Sequence, residues 1–255
     1  FPDDDTVLGE TDATLQWPGN GGGDNSYQRE QTAYWIAEQI GLPYCYRRSI
    51  NLFVNGVRRA EMFEDVQQPN GDLVDEYFPD GKNGDLHKVQ LWFEFDDPAV
   101  NFSANGASLQ NFTTTGGQKK LARYRWTFAK RAAPDSMSNY TNLFALVDAA
   151  NFGGLGTNYR RQLEAVVDVD NWLKTYAVEH IVGNHGSFAY GGGQNMYSYK
   201  PVGDTWKQLI WDIDFAFASL GPTGDDLFAG VGRSCGIDLA EPAYLRRYWQ
   251  ILQDL

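Results

Sequence analysis

The chain has 255 residues and a formal net charge of −12, which argues against nucleic-acid binding, since that needs a basic footprint. Apolar residues make up 42% and aromatics 15%, ample for a packed core, yet no apolar run approaches the roughly 18 residues that would span a membrane. The length fits one large domain or two small ones, and the acidic balance favours solubility and cation binding at the surface.

Residues 1–26 are polar and Gly-rich, with GNGGGDN at 19–25. A glycine-rich loop can cradle phosphate through backbone N–H groups. Here no strand-loop-helix context and no Walker lysine accompany it, so it reads as a loop. Residues 26–40 predict an amphipathic helix with Ala33, Ile36, Ala37 and Ile40 on one face, stopped by Gly41 and Pro43. Residues 48–54 alternate as a strand, Asn55-Gly56 signals a type I′ hairpin, and 57–66 form the return strand. A short helix is predicted over 72–78 and a strand over 86–95. Residues 96–120, rich in Asn, Gly and Thr, read as a surface insertion, while 123–128 fits either a strand or a helix. Helices are predicted over 137–150, 158–167 and 170–182, the last capped by Asp168 or Asp170. A loop and a helix from Glu241 close the chain, and no repeat or linker divides it. Trp92, Trp126, Trp172, Trp206 and Trp211 are read as core, and His180 as a hydrogen-bonded, half-buried helix residue.

The densest chemistry lies between 183 and 217. After a Gly-rich loop at 183–193, Asn195 opens a strand with alternating Tyr197 and Tyr199. Gly203-Asp204 turns, and a second strand over 206–211 runs into Asp212 and Asp214. Continued as a strand, it would point both carboxylates to one side. Two carboxylates at a hairpin end, with an amide at its base, suit a divalent metal. Mg2+ takes hard oxygen ligands, and one or two protein carboxylates with substrate phosphates suffice. The plainer reading is a hairpin with solvated acids at its tip. Read alone, Glu64 and Asp65 are solvated acids flanking a strand, and Lys88 is a surface partner of Asp85. No H-x-x-x-H, C-x-x-C or G-x-S-x-G motif occurs, so zinc- and serine-hydrolase chemistry lacks support.

Cys45 and Cys235 either pair in an oxidising compartment or remain buried thiols. Sequons at Asn101, Asn111 and Asn139 fit secretion. The chain begins at Phe1 rather than Met and ends at Leu255 inside an apparent helix, so it reads as a processed or truncated piece.

Five segments carry a resemblance: INLFVNGVRRAEMFEDVQQPN (50–70), GDLHKV (84–89), VDNWLKTYAVEHIVGN (169–184), GGGQNMYSYKP (191–201) and WKQLIWDIDFAF (206–217). In this order they resemble the spore coat protein H kinase family, the CotH-type atypical protein kinases. The likeness runs from about residue 17 to 217. Each piece alone is weak; their order together with the WDID ending makes the match specific.

The resemblance implies an α+β chain, a compact protein-kinase-like fold of antiparallel strands and helices in a single domain over 1–255, with or without a division into two lobes. It implies ATP with Mg2+ or Mn2+ as cofactors, and a protein substrate or surface-assembly partner outside the cell or on the cell or spore surface. By the family pattern Asp212 and Asp214 are metal-holding acids and Asn195 is the second metal ligand. Glu64 orients a lysine or the metal shell, and Lys88 neutralises phosphate charge. These are the residue types that kinase catalysis, mostly positioning and electrostatics, calls for.

Two departures stand out. The family carries an acid two positions after the Asn equivalent to Asn184, where this chain has Gly186; His185 beside it can serve as base, since histidine titrates near neutral pH. The Arg-Gly-Ser/Thr-type segment and lysine that the pattern places upstream are not in the sequence. The expected function is an ATP-dependent protein kinase, and the alternative is a catalytically silent, kinase-like module with a structural or adhesive role.

Overall fold

A computed structural model of the chain describes residues 12–19, 23–91, 106–218 and 226–255. Strand β1 (Thr14–Gln16) lies within the stretch read as loop; three residues are too few for a period-2 pattern to show. Helix α1 (Arg29–Gln39) starts where Asp24 gathers free amides, its carboxylate accepting from the backbone N–H of Ser26 at 2.9 Å and of Gln28 and Arg29 at 3.0 Å. That is the acidic capping a helix N-terminus favours. The buried face of α1 is Glu30, Ala33, Tyr34 and Ala37, a helical spacing that includes an acid. Strands β2 (Arg47–Val54) and β3 (Val57–Val66) turn at Asn55 and Gly56, whose φ values of 52° and 77° are those of the type I′ turn. With β1 they form a three-stranded antiparallel sheet in the order β1-β3-β2.

Helix α2 (Gly71–Tyr77) is capped by Asn70, whose side chain accepts from the Leu73 amide at 3.2 Å. A second antiparallel sheet orders β5 (Phe128–Ala132), β4 (Asp85–Val89), β6 (Met196–Lys200) and β7 (Lys207–Ile210) as β5-β4-β6-β7. Its faces feed different cores. Val89, Phe128 and Met196 pack with Leu143, Trp172 and Tyr176, while Leu86, Tyr197, Tyr199 and Leu209 pack with Ala33, Tyr34 and Leu73. Helix α3 (Leu121–Thr127) leads directly into β5, so 123–128 is helix up to Thr127 and strand from Phe128.

Helices α4 (Thr141–Ala150), α5 (Thr157–Glu164), α6 (Val169–Ile181) and α7 (Pro242–Asp254) complete the α+β fold. Helix α4 starts later than predicted because Asn139 and Asp135 side chains bind nearby backbone N–H groups and hold 135–140 as turns. Asp168 caps α6 by accepting from the Asn171 amide at 3.0 Å, and its other oxygen takes Lys207 at 2.6 Å. This ties the start of α6 to β7. Helix α6 sits between the cores, with Trp172, Leu173 and Tyr176 in one and Val178 in the other. Glu241 caps α7, with Pro242 in its first turn.

Several expectations are corrected. The strand predicted over 86–95 ends at Val89, and 92–95 lie outside the described residues, as do Trp92 and residues 20–22 of the Gly-rich loop. The segment read as a surface insertion is core in its middle, where Ala107 and Leu109 are buried, and mostly exposed from 110 to 120. It is anchored by the Ala107 amide donating to the Gly193 carbonyl at 2.8 Å. A Cβ on Gly193 would fall 2.4 Å from the Gly106 Cα, so the approach requires glycine. Trp126 is 59% exposed rather than core, whereas Trp172 and Trp206 are buried. Cys45 and Cys235 are free thiols in separate cores. His180 is fully rather than half buried, its ring stacked on Tyr190 at 4.0 Å.

Candidate functional site

The β6–β7 hairpin opens and closes at one end of its sheet, because Met196 pairs with Ile210 in register. Asn195 and Asp212, just outside this pair, have φ values of 57° and 58°, a left-handed conformation that Asn and Asp tolerate best among residues with a Cβ. Strand β7 therefore stops at Ile210, and Asp212 and Asp214 do not continue it as predicted. Asp214 begins a turn instead, pinned where the Phe217 amide donates to the Val182 carbonyl at 2.6 Å. The end of α6 and the turn after β7 are thus held together. Gly186 is adjacent: a Cβ there would stand 3.2 Å from the Phe215 ring and 3.4 Å from the Asn195 side-chain nitrogen.

Charge is concentrated here. Burial raises the pKa of Asp212, against the pull of Lys88 and Arg47. Burial, with Asp212 adding, raises Asp214 to about 6. Lys88 is lowered by burial and by Arg131, and Asp212 opposes that shift. Lys88 does not pair with Asp85, whose carboxylate binds Lys130 at 2.6 Å. Glu64 is not a solvated acid either. It is 2% exposed, and the Arg47 guanidinium donates to it at 2.6 and 3.2 Å while Gln31 donates at 2.9 Å. Arg47 also donates to Glu30 at 2.6 Å. Burial lifts Glu30 to about 7; Arg47 opposes this, while Asp214, Glu64 and Asp212 add to it. Below the loop, Glu179 is fully buried, accepts from the Asn184 side chain at 2.7 Å, and is raised to about 8 by burial, with Asp212 contributing. His185 is exposed, its ring 4.8 Å from that of Tyr190.

The arrangement brings Asn195, Asp212, Asp214 and Lys88 to one end of the sheet and sets the Glu64–Arg47–Glu30 group beside them. With every group ionised, four carboxylates face two cations, an excess of negative charge that a divalent cation would offset. Among the described residues no three His, Cys, Asp or Glu side chains are grouped closely enough to hold a metal by themselves. The donor set fits a metal shared with phosphate oxygens better than a caged one. Sequence reasoning missed Arg47, Glu30 and Glu179. Glu30 had a signal, since it precedes Ala33, Tyr34 and Ala37 on the buried face at helical spacing.

The family model described as CotH kinase protein matches residues 4–247. The chain belongs to the CotH kinase protein family. No curated protein matches it. In this CotH kinase-like protein the WDID segment is the irregular, charged end of the hairpin, and the position after His185 is occupied by Gly186. No helix among the described residues is long and apolar enough to cross a membrane.

Proposed function

We propose that the chain is an ATP- and divalent-metal-dependent protein kinase of the CotH type, acting on secreted or surface proteins. The observation that carries this reading is the convergence of Asn195, Asp212, Asp214 and Lys88 beside a buried excess of carboxylate. Bound Mg2+ or Mn2+ with ATP would supply the transferable phosphoryl group and screen its charge. Asp212, Asp214 and Asn195 would offer the oxygen ligands, and the Lys88 ammonium would neutralise phosphate charge. The Arg47–Glu64–Glu30 group ties α1 to the first sheet. His185 is the candidate to take the acceptor hydroxyl proton. The exposed sequon Asn111 and Asn139 side chains fit a secreted protein.

Transfer of label from ATP to protein in the presence of Mg2+ or Mn2+ tests the reading. Incorporation that Asp212→Asn abolishes supports it, and none with any acceptor or in autophosphorylation counts against it. One observation favours the second reading, a kinase-like module without transferase activity. Gly186 leaves no carboxylate at the family's acid position, and the Phe215 ring and Asn195 amide crowd the space beside it.

A further inference from the structure

A cleft of about 510 Å³ opens beside the edge strand β5, lined by Gln90, Ala122, Arg125, Trp126, Ala129 and Arg131. Among the described residues its lining holds no acid, in a chain with 33 Asp and Glu against 21 Lys and Arg. Among the described residues neither Arg125 nor Arg131 has a carboxylate partner. Trp126 presents most of its surface to solvent, and Gln90 fixes its backbone by donating to the Trp126 carbonyl at 3.0 Å.

The cleft and the charged site share one end of the second sheet. Val89 pairs with both Phe128 and Met196, and Met196 pairs with Ile210, so Thr127, Gln90, Asn195 and Trp211 leave the sheet at the same level. Three strand spacings of ~4.8 Å separate β5 from β7, which puts the cleft about 14 Å from Asp212. Lys88 lies on β4 between them, opposite Ala129 in register, and feels both Arg131 and Asp212. Positive charge therefore continues from the cleft toward the carboxylates.

We propose that this cleft docks an acidic segment of the acceptor polypeptide, its side-chain carboxylates on Arg125 and Arg131 and an apolar group on Trp126. An extended chain covers the distance to Asp212 in about four residues at ~3.3 Å each, so the acidic residues stand about four positions from the hydroxyl to be phosphorylated. The purpose of the site rests on the phosphotransfer reading; its binding chemistry does not.

Fluorescence anisotropy with labelled peptides on the full chain tests this. One peptide carries Ser with Glu residues and a Phe four positions away; the other has Lys in place of Glu. The acidic peptide should bind at least about tenfold more tightly, Arg125→Glu/Arg131→Glu should reverse the order, and Trp126→Ala should weaken both. All three side chains are exposed, so the variants should fold, and their thermal stabilisation by Mg2+ and ATP should match that of the unmodified chain. Equal binding of the two peptides, no binding, or a preference that survives charge reversal overturns the proposal. Loss of nucleotide stabilisation in the charge-reversed variant assigns the cleft to the nucleotide and also overturns it. Acidic-peptide binding without nucleotide stabilisation of the unmodified chain keeps the docking site and removes the phosphotransfer reading.

Discussion

The guanidinium of Arg47 joins three elements at one point, reaching Glu30 on α1 and Glu64 on β3 from the start of β2. Arg47→Met would leave two buried carboxylates without their cation, a change that typically costs 3–5 kcal/mol. Urea denaturation should show a loss of that order, and a smaller one for Arg47→Lys, which keeps the charge but loses the forked geometry. At Asp212 the backbone and the charge can be separated. Asparagine also tolerates the φ of 58°, so Asp212→Asn should fold normally, with stability changed by less than about 1 kcal/mol, while losing any response to Mg2+ and ATP. Gly186→Asp asks whether the missing acid limits transfer. Its Cβ needs Phe215 and Asn195 to give by a few tenths of an ångström, and if the rest of the site is intact the initial rate of labelled-ATP transfer should rise, at most about 10²–10⁴-fold. If the base position is empty, His185→Ala should change little; a large loss of transfer makes His185 the base.

At the scale of elements, the strongest local signals were legible. Asn55-Gly56 between alternating residues gave its hairpin turn, and Asp168 its helix cap. The boundaries of β6, β7 and α7 were close to those observed. What was hidden is tertiary. The strand period predicted that Asp212 and Asp214 would share a face, but a left-handed Asp212 and the pinning of Phe217 to Val182 override it. Arg47 was left outside the predicted strand, and its partners sit 17 residues away on either side, beyond any local pattern. Ala107 and Leu109 are core only because Gly193 admits the backbone beside them. Asp168 couples two elements, so Asp168→Ala should remove both an α6 cap and the Lys207 contact to β7. A cost of about 1–2 kcal/mol is expected, read as a shifted urea midpoint with unchanged slope; no shift would show that the contacts are incidental.

Across the whole molecule, the buried acids link stability to pH. Glu179 is raised from 4.5 to about 8 chiefly by burial. The groups facing it are Asn184 in the following loop, Asp212 after β7 and Tyr34 on α1. The folded chain keeps a proton there that the unfolded chain releases at lower pH. The contribution is full below about 4.5 and is lost as pH rises through about 8. Glu30, raised to about 7, acts in the same direction. Without metal, stability should fall between pH 5.5 and 8 by an amount on the order of a few kcal/mol, and Glu179→Gln should flatten much of that slope in urea titrations. A slope unchanged by the substitution would remove Glu179 as its source.

A ligand that binds only the folded state raises its stability by mass action, about 2.7 kcal/mol at one hundred times Kd. The most direct measurement is thermal unfolding of the chain with Mg2+ alone, ATP alone and both together, beside Asp212→Asn. Mg2+ and ATP together should raise Tm by roughly 5–10 °C for a chain of this size, increasingly with concentration, and Asp212→Asn should show no such rise. An unmodified chain whose Tm is indifferent to the pair, at concentrations up to several millimolar, would contradict a nucleotide and metal site at this end of the sheet.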